Sequence, residues 1–209
     1  MRRLGPTRIG GALAAAVLLA AGLMGAVSPR ALARPESGDM TLGRARAPVT
    51  VIEYASAGCP HCAAWATNVF PEFEKRYIST GRVRFVLREE ITGSAPLATA
   101  GFLTARCAGP GKYFQVLDEI FAAQPKIFQA GNAYDPLLAI AKGAGLSESA
   151  FMACLKDNAA FQALLARSNR HVKDDGIEST PTFVIGDQKL VGDQTLAELG
   201  EAIARARRR

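Results

Sequence analysis

Three predicted elements in the first half of the chain restrict the fold more than any other feature. Val49–Ala55 is almost continuously apolar and rich in β-branched residues, which is typical of a central strand buried on both faces. Apolar residues then recur at helical spacing from Cys62 to Tyr77, with an expected kink at Pro71, and Val83–Arg88 is predicted to be the next strand. Strand, helix and strand in this order predict a right-handed crossover and a parallel pair of strands.

The segment over residues 94–175 has a different character. It is rich in Ala, Leu, Phe and Gln, and its apolar positions recur at helical spacing between turns marked by Gly, Pro and Asn. Four or five helices are expected there. The chain then returns to β character, with a hairpin predicted from Thr182–Ile185 and Lys189–Val191 and a helix after it. The pattern as a whole favours an α/β fold with an inserted helical subdomain.

The first 33 residues have the pattern of an export signal. Arg2, Arg3 and Arg8 form a basic segment, residues 9–27 form an uncharged apolar run, and Ala31-Leu32-Ala33 is a small-x-small cleavage site. The apolar run is close to the roughly 20 residues that span a bilayer, so an uncleaved membrane anchor is the alternative.

Most of the basic excess of the chain belongs to this signal. The chain has 25 Lys and Arg residues against 19 Asp and Glu residues, and the signal carries four arginines and no acid. The arginine-rich stretch over residues 205–209 accounts for part of the remaining excess, and we interpret it as a solvated terminus. No binding of nucleic acid is therefore expected.

Two of the four cysteines lie at the predicted junction between strand and helix, in Cys59-Pro60-His61-Cys62. A helix N-terminus carries unsatisfied N–H groups and a partial positive charge, which favour a thiolate on Cys59. Cys62 lies one turn inside the helix on its apolar stripe. We therefore predict that Cys59 is the exposed attacking thiol, with a pKa lowered by the helix and by His61, and that Cys62 is the buried resolving thiol.

The other cysteines, Cys107 and Cys154, lie in the helical segment. An even number of cysteines in an exported chain predicts a structural disulfide between these two, with two free buried thiols as the alternative. The Cys-x-x-Cys pair could instead be half of a zinc site, but such a site needs two more ligands at compatible spacing. Since histidine is scarce and His171 is expected on a solvated helix face, neither a metal nor another cofactor is predicted.

Several motifs together resemble one known family. A strand that ends in Glu53-Tyr54-Ala55-Ser56, a Cys-Pro-His-Cys motif at a helix start, a helical insertion, and Thr180-Pro181 at the start of a late hairpin resemble the DsbA family of thiol:disulfide oxidoreductases. The resemblance covers residues 40–205. It implies a thioredoxin-like fold with an inserted all-helical subdomain, divided into an export signal (1–33), a thioredoxin-like domain (34–93 and 176–209) and a helical subdomain (94–175).

The resemblance also implies roles for residues outside the cysteine motif. Glu53 interrupts an apolar strand, where an unpaired charge is costly, and an acid at this offset in the family helps to move the proton of Cys62. Glu53 is therefore expected to be a buried acid/base with a raised pKa, although an edge-strand glutamate facing water is the alternative. In the family the bond between Thr180 and Pro181 is cis, and it leaves Thr180 backbone groups to bind an extended substrate peptide. A trans proline in an ordinary turn is the alternative.

The activity implied by the resemblance is that of a protein dithiol-disulfide oxidoreductase in the periplasm. Such an enzyme donates the Cys59–Cys62 disulfide to reduced or unfolded exported proteins and is reoxidised by a quinone-linked membrane partner of the DsbB type. A monomer is expected. Thr180 replaces the valine of the best-known DsbA and is shared with disulfide isomerases, so an isomerase or reductase is the first alternative. A periplasmic chaperone-like binding module with an incidental dithiol is the alternative from a different class.

Overall fold

The computed structural model describes Met1 and residues 34–208. Apart from Met1, the predicted export signal and its alternative, a membrane anchor, lie outside the described residues. The strands are β1 (Met40–Leu42), β2 (Val49–Ala55), β3 (Val83–Glu89), β4 (Thr182–Ile185) and β5 (Gln188–Val191).

The helices lie after β2, between β3 and β4, and after β5. They are α1 (Pro60–Asn68), α2 (Phe70–Phe73), a π-helical turn (Glu74–Ile78), α3 (Ala95–Cys107), α4 (Tyr113–Ala130), α5 (Tyr134–Gly143), α6 (Glu148–Lys156), α7 (Asn158–Asp174) and α8 (Leu196–Arg207). Within residues 34–208, no single helix combines the length and the apolar character needed to cross a membrane. Helices α5 and α6 meet that test only as a pair, and the chain bends by 118° between them.

The strands form one sheet in the order β1-β3-β2-β4-β5. β2 and β3 are parallel, with Val51 opposite Phe85, and the other neighbouring strands are antiparallel. The predicted parallel pair is therefore confirmed. Because β2 is central, its apolar residues are covered on both faces, and its carboxyl end delivers the chain directly to the cysteine motif.

The predicted kinked helix is two helices separated by a break. Helix α1 ends at Asn68, and Val69 departs from ideal helix angles (φ −116°, ψ −42°), although it stays in the right-handed helical region, before α2 begins at Phe70. Pro71 occupies the first turn of α2. Proline lacks an N–H group, and the N–H groups of a first turn have no partner within the helix, so Pro71 starts a new helix here instead of bending an old one.

Helix α1 is anchored by its tryptophan. The Trp65 ring lies 4.8 to 6.3 Å from four phenylalanine rings, centroid to centroid. These rings belong to Phe70, Phe73, Phe85 and Phe183. The Trp65 indole N–H also donates to the carbonyl oxygen of Gln194 at 3.0 Å, so the polar atom of this buried ring is satisfied. The packing fixes α1, and with it the two thiols, against the sheet.

Helices α3 to α7 form the segment inserted between β3 and β4. A disulfide joins Cys107 at the end of α3 to Cys154 in α6, with 6.2 Å between their Cα atoms. Buried Glu89, at the end of β3, accepts hydrogen bonds from Arg106 and Arg167 at 2.6 and 2.7 Å and from the Tyr113 hydroxyl at 3.1 Å. These partners come from α3, α7 and α4, so one carboxylate links three inserted helices to the sheet.

His171 lies in the interior, so the expectation of a solvated histidine is wrong. His171 is 1% exposed, and its Nδ1 atom lies 2.7 Å from Oε1 of Glu90, which is also buried. The ring meets that of Tyr54 edge to face at 5.5 Å. The sequence suggests a solvated face of α7 because the partner of His171, Glu90, lies 81 positions away in the chain. Buried polar groups are tolerated when they are hydrogen-bonded.

Candidate active site

The two thiols of the cysteine motif lie at the start of α1, as the sequence predicts. Cys59 is the N-cap residue, with extended backbone angles (φ −101°, ψ 121°), and Pro60 opens the helix. Both thiols are free in this structure. Cys59 therefore lies where unpaired helix N–H groups converge, whereas Cys62 is one turn inside and fully covered.

The pKa of the Cys59 thiol is lowered from 9.0 to about 5. The largest cause is a hydrogen bond from the Cys62 thiol. A hydrogen bond from the Thr180 side chain and hydrogen bonds from the backbone N–H groups of Cys62 and His61 lower the pKa further, whereas burial raises it. Sequence reasoning credited the helix and His61 and overlooked the neighbouring thiol. Cys59 is also only 7% exposed, so the expectation of an exposed thiol is wrong, although Cys59 keeps an opening to solvent that Cys62 lacks.

The pKa of Cys62 is shifted in the opposite direction. Burial raises it most, and the hydrogen bond to Cys59 and the charge of Glu53 raise it further. The backbone N–H of Ser56 donates to the Cys62 sulfur at 3.4 Å and partly offsets these effects. The two thiols are therefore chemically unequal, with Cys59 ionised at neutral pH and Cys62 protonated.

Glu53 lies on the central strand β2 and is 2% exposed, which excludes a glutamate on an edge strand facing water. Its Oε1 atom has no hydrogen-bond partner among the described residues. Burial raises the pKa of this carboxyl, and the negative charges of Asp118 and Cys59 raise it further. A buried carboxyl with a raised pKa whose charge acts on the Cys62 thiol can give a proton to that sulfur or take one from it.

His61 points away from the interior and pairs with a residue that the sequence does not indicate. Its Nδ1 atom lies 2.9 Å from Oδ2 of Asp193, in the loop between β5 and α8. The hydrogen bond to Asp193 and its negative charge raise the pKa of His61, and the Cys59 thiolate adds to the effect. His61 therefore holds positive charge beside the thiolate over a wider pH range than an isolated histidine does.

The loop before β4 faces the Cys59 thiol. The peptide bond between Thr180 and Pro181 is cis, and the Thr180 carbonyl oxygen lies 3.4 Å from the Cys59 sulfur. The Thr180 hydroxyl is 2.8 Å from that of Thr92, which ties this loop to the segment after β3. The Thr180 N–H makes no hydrogen bond within the described part of the chain. The structure thus brings Thr180 and Pro181 to the dithiol, whereas Cys107 and Cys154 lie apart from it in the inserted helices.

Sequence reasoning missed a residue that positions the cysteine loop. Gln124 of α4 is 1% exposed, and its side-chain amide donates to the carbonyl oxygens of Ala57 at 2.9 Å and Cys59 at 3.3 Å. A polar residue inside an otherwise apolar helical stripe is the one sequence signal that could have revealed it. Gly58 and Gly93 also pack backbone against backbone beside this loop, so a Cβ atom at either position would overlap the other segment.

A dithiol on the helix that follows the central strand, facing a cis-proline loop, defines a protein of the thioredoxin-fold class. The model of the thioredoxin family matches residues 36–205. The chain belongs to this family. The fold class expected from the sequence, α/β with a thioredoxin-like fold and inserted helices, is thereby confirmed.

Solved structures and curated relatives agree with this assignment. The crystal structure of alpha-DsbA1 from Wolbachia pipientis superposes with a TM-score of 0.75 at 24% identity and covers 86% of this chain and 96% of its own. The oxidised form of BdbD from Bacillus subtilis gives 0.76 at 23% identity, with 88% and 99% covered. A protein of Rickettsia conorii with the provisional name protein-disulfide oxidoreductase is 31% identical over 172 residues, which are 82% of this chain and 61% of that protein. The chain therefore spans about three fifths of the length of that relative.

Proposed function

We propose that this chain is a thiol:disulfide oxidoreductase that introduces disulfides into folding exported proteins through Cys59 and Cys62. The observation that carries the proposal is that the pKa values of two neighbouring thiols are shifted in opposite directions. The pKa of Cys59 is lowered to about 5, and that of Cys62 is raised. A stabilised thiolate makes the reduced protein the favoured form. The corresponding disulfide is then a strong oxidant.

The proposed reaction follows from the difference in pKa between the two thiols. A substrate thiolate attacks the Cys59 sulfur of the disulfide form, the Cys59–Cys62 bond breaks, and Cys62 leaves with the electron pair. Glu53 is positioned to protonate that leaving sulfur, because its pKa is raised and its charge acts on Cys62. A second substrate thiolate then attacks the substrate sulfur and releases Cys59 as a thiolate. The substrate loses two electrons, and the dithiol gains them.

Thr180 supports an extended substrate beside the reacting sulfur. Its carbonyl oxygen and its N–H lie at the edge of the site on a half-buried loop, and the N–H has no partner within the described residues. A peptide in extended conformation can pair with these groups as an added strand does. Such pairing depends on main-chain atoms, so it suits an enzyme that accepts many sequences.

The proposed setting is the periplasm, where disulfides persist. The basic, apolar and small-residue pattern at 1–33 supports export. Each turnover leaves Cys59 and Cys62 reduced, so continued activity needs an electron acceptor, and we propose a quinone-linked membrane reoxidase of the DsbB type. The proposal also takes the protein to act as a monomer on reduced or unfolded exported proteins.

A glutathione redox titration of the purified protein, run beside refolding assays, tests the proposal. We expect a redox potential well above that of thioredoxin and oxidation of a reduced substrate protein. Cys59→Ser is expected to abolish exchange. A potential near that of thioredoxin, with no oxidation of the reduced substrate, would overturn the proposal.

A disulfide isomerase is the second candidate, and Thr180 is the observation that favours it. The side chain of Thr180 makes a hydrogen bond to Cys59, and in the resembling families this threonine is shared with disulfide isomerases and replaces the valine of the best-known DsbA. An isomerase would restore a scrambled substrate and leave the reduced substrate unoxidised in the same refolding assays. A chaperone-like binding module would instead keep its holding activity in Cys59→Ala.

A further inference from the structure

A cleft of about 670 Å³ lies at the end of the sheet opposite the dithiol. Its apolar floor includes Val49, the first residue of β2, together with Ile203 and Ala204 of α8. A strand rises about 3.3 Å per residue, so the seven residues of β2 place this cleft roughly 20 Å from the cysteine motif. The cleft is therefore separate from the proposed site of thiol exchange.

Three arginines line this cleft: Arg82, Arg207 and Arg208. No carboxylate lines it, and none of the three side chains makes a hydrogen bond or an ion pair within the described residues. Arg207 and Arg208 are exposed, as expected of a solvated terminus, yet they share one cavity with Arg82, which lies 125 positions earlier in the sequence. Like charges that share a cavity repel one another, and an anionic ligand between them would relieve this repulsion.

The interior arginines behave differently. Arg88 is paired with Asp39 and Asp175, and Arg106 is paired with Glu89. The fold therefore neutralises guanidinium groups where it buries them. The unpaired side chains of Arg82, Arg207 and Arg208 lie instead around the cleft.

Two close approaches shape the cleft walls. A Cβ atom at Gly200 would lie 2.6 Å from the Tyr77 hydroxyl, so this glycine lets the tyrosine ring reach across α8 into the cleft. Gly81, which also lines the cleft and has φ +75°, lets the Arg44 side chain lie against it, with Nε 2.9 Å from the position that a Cβ would take. The Tyr77 hydroxyl has no hydrogen-bond partner among the described residues, so it adds an open donor to those of the arginines.

We propose that this cleft binds an amphipathic phosphate, with the phosphate group between Arg82, Arg207 and Arg208 and the apolar part over Val49 and Ile203. Guanidinium groups bind phosphate through paired N–H donors. A phosphate monoester has about two negative charges and three acceptor oxygens, which match three arginines better than a single carboxylate does. The apolar floor adds affinity for a hydrocarbon part. The ligand is either a soluble phosphoester or the headgroup of an anionic lipid, since both present the same chemistry.

Binding of hexyl phosphate to the full chain, measured by calorimetry, tests the proposal. We expect hexyl phosphate to bind at least about tenfold more tightly than inorganic phosphate, because the apolar floor adds to the charge interaction. Arg82→Gln and Arg207→Gln should each weaken binding by about tenfold, the effect of losing one charge-assisted hydrogen bond. Arg170→Gln, which removes an arginine of α7 outside the cleft, is the matched control and should leave binding unchanged.

A second variant separates the cleft from its charge. Ala204→Trp fills the cavity and keeps every arginine, so it should also abolish binding of hexyl phosphate. All variants should keep the wild-type rate of thiol exchange, which reports correct folding because the dithiol lies on the opposite side. Vesicles of phosphatidylcholine with and without phosphatidic acid distinguish the source. Binding of the acidic vesicles that is lost in Arg82→Gln identifies a lipid headgroup, whereas binding of hexyl phosphate alone identifies a soluble ligand.

Two results would overturn the proposal. One is the absence of saturable binding of hexyl phosphate together with equal binding of acidic and neutral vesicles. The other is unchanged binding in Ala204→Trp with loss in the arginine variants, because exposed charge would then suffice without the cleft.

Discussion

The reduced protein should become more stable as the pH rises from 5 to 9, and Cys59→Ser should remove this gain. The pKa of Cys59 is about 5 in the folded protein, against 9.0 for an ordinary thiol. Between these two values the unfolded chain keeps a proton that the folded protein has released, so the free energy of unfolding rises with pH. The stabilisation is complete above pH 9 and is lost as the pH falls through 5.

The size of the effect follows from the shift. One pKa unit corresponds to about 1.4 kcal/mol, so the difference in unfolding free energy between wild type and Cys59→Ser should grow by that amount per pH unit. It should reach about 3 kcal/mol between pH 5.5 and 7.5. Cys62 adds no slope in this window, because its raised pKa leaves it protonated in both the folded and the unfolded states below pH 9.

Urea unfolding of both proteins under reducing conditions, at several pH values, measures this difference. Thiolate absorbance gives the pKa of Cys59 independently. Cys62→Ser keeps a hydrogen-bond donor beside Cys59 and should preserve the slope, whereas Cys62→Ala removes the donor and should raise the pKa of Cys59 by about one unit. A difference between wild type and Cys59→Ser that stays constant with pH would refute the reasoning.

Three further predictions concern groups around the dithiol. Glu53→Gln keeps the shape of the side chain but cannot donate a proton to the departing Cys62 sulfur, so stopped-flow kinetics should show formation of the mixed disulfide slowed by about tenfold at neutral pH; an unchanged rate would exclude Glu53 from proton transfer. Gln124→Leu leaves the buried carbonyl oxygen of Ala57 without its donor, whereas that of Cys59 keeps the Ala63 N–H, and should lower the free energy of unfolding by about 2 kcal/mol, against no change if the amide is dispensable. Replacing both Cys107 and Cys154 by serine opens a loop of 47 residues and should cost ~4 kcal/mol while leaving the pKa of Cys59 near 5; a shifted pKa would show that this disulfide also shapes the site.

The parts of the structure that follow from nearby residues were predictable from the sequence. Val49–Ala55 has the continuous apolar pattern of a central strand, and the structure gives it the same bounds. The position of Cys59 at a helix start also follows from local pattern, because strand, turn and apolar stripe adjoin it in the chain. Local pattern likewise accounts for the hairpin of β4 and β5.

Contacts between distant residues were not predictable in the same way. Gln124 lies 65 positions from Cys59, and Asp193 lies 132 positions from His61. No periodicity or motif joins positions so far apart, since such contacts are made only when the inserted helices and the last loop pack against α1. The burial of His171 has the same origin, because its partner Glu90 belongs to another element.

The four positions around the Cys59 thiol differ in how well the fold can accommodate a substitution. Gly58 and Gly93 pack so closely that neither tolerates a side chain without movement of the backbone. Pro60 and His61 are exposed and lie between the cysteines on the outer surface of the helix start. Substitutions of this dipeptide therefore alter the charge beside the thiolate at little cost to folding. The architecture separates redox tuning from structural integrity, so one scaffold can acquire a range of oxidising strengths through changes at two surface positions.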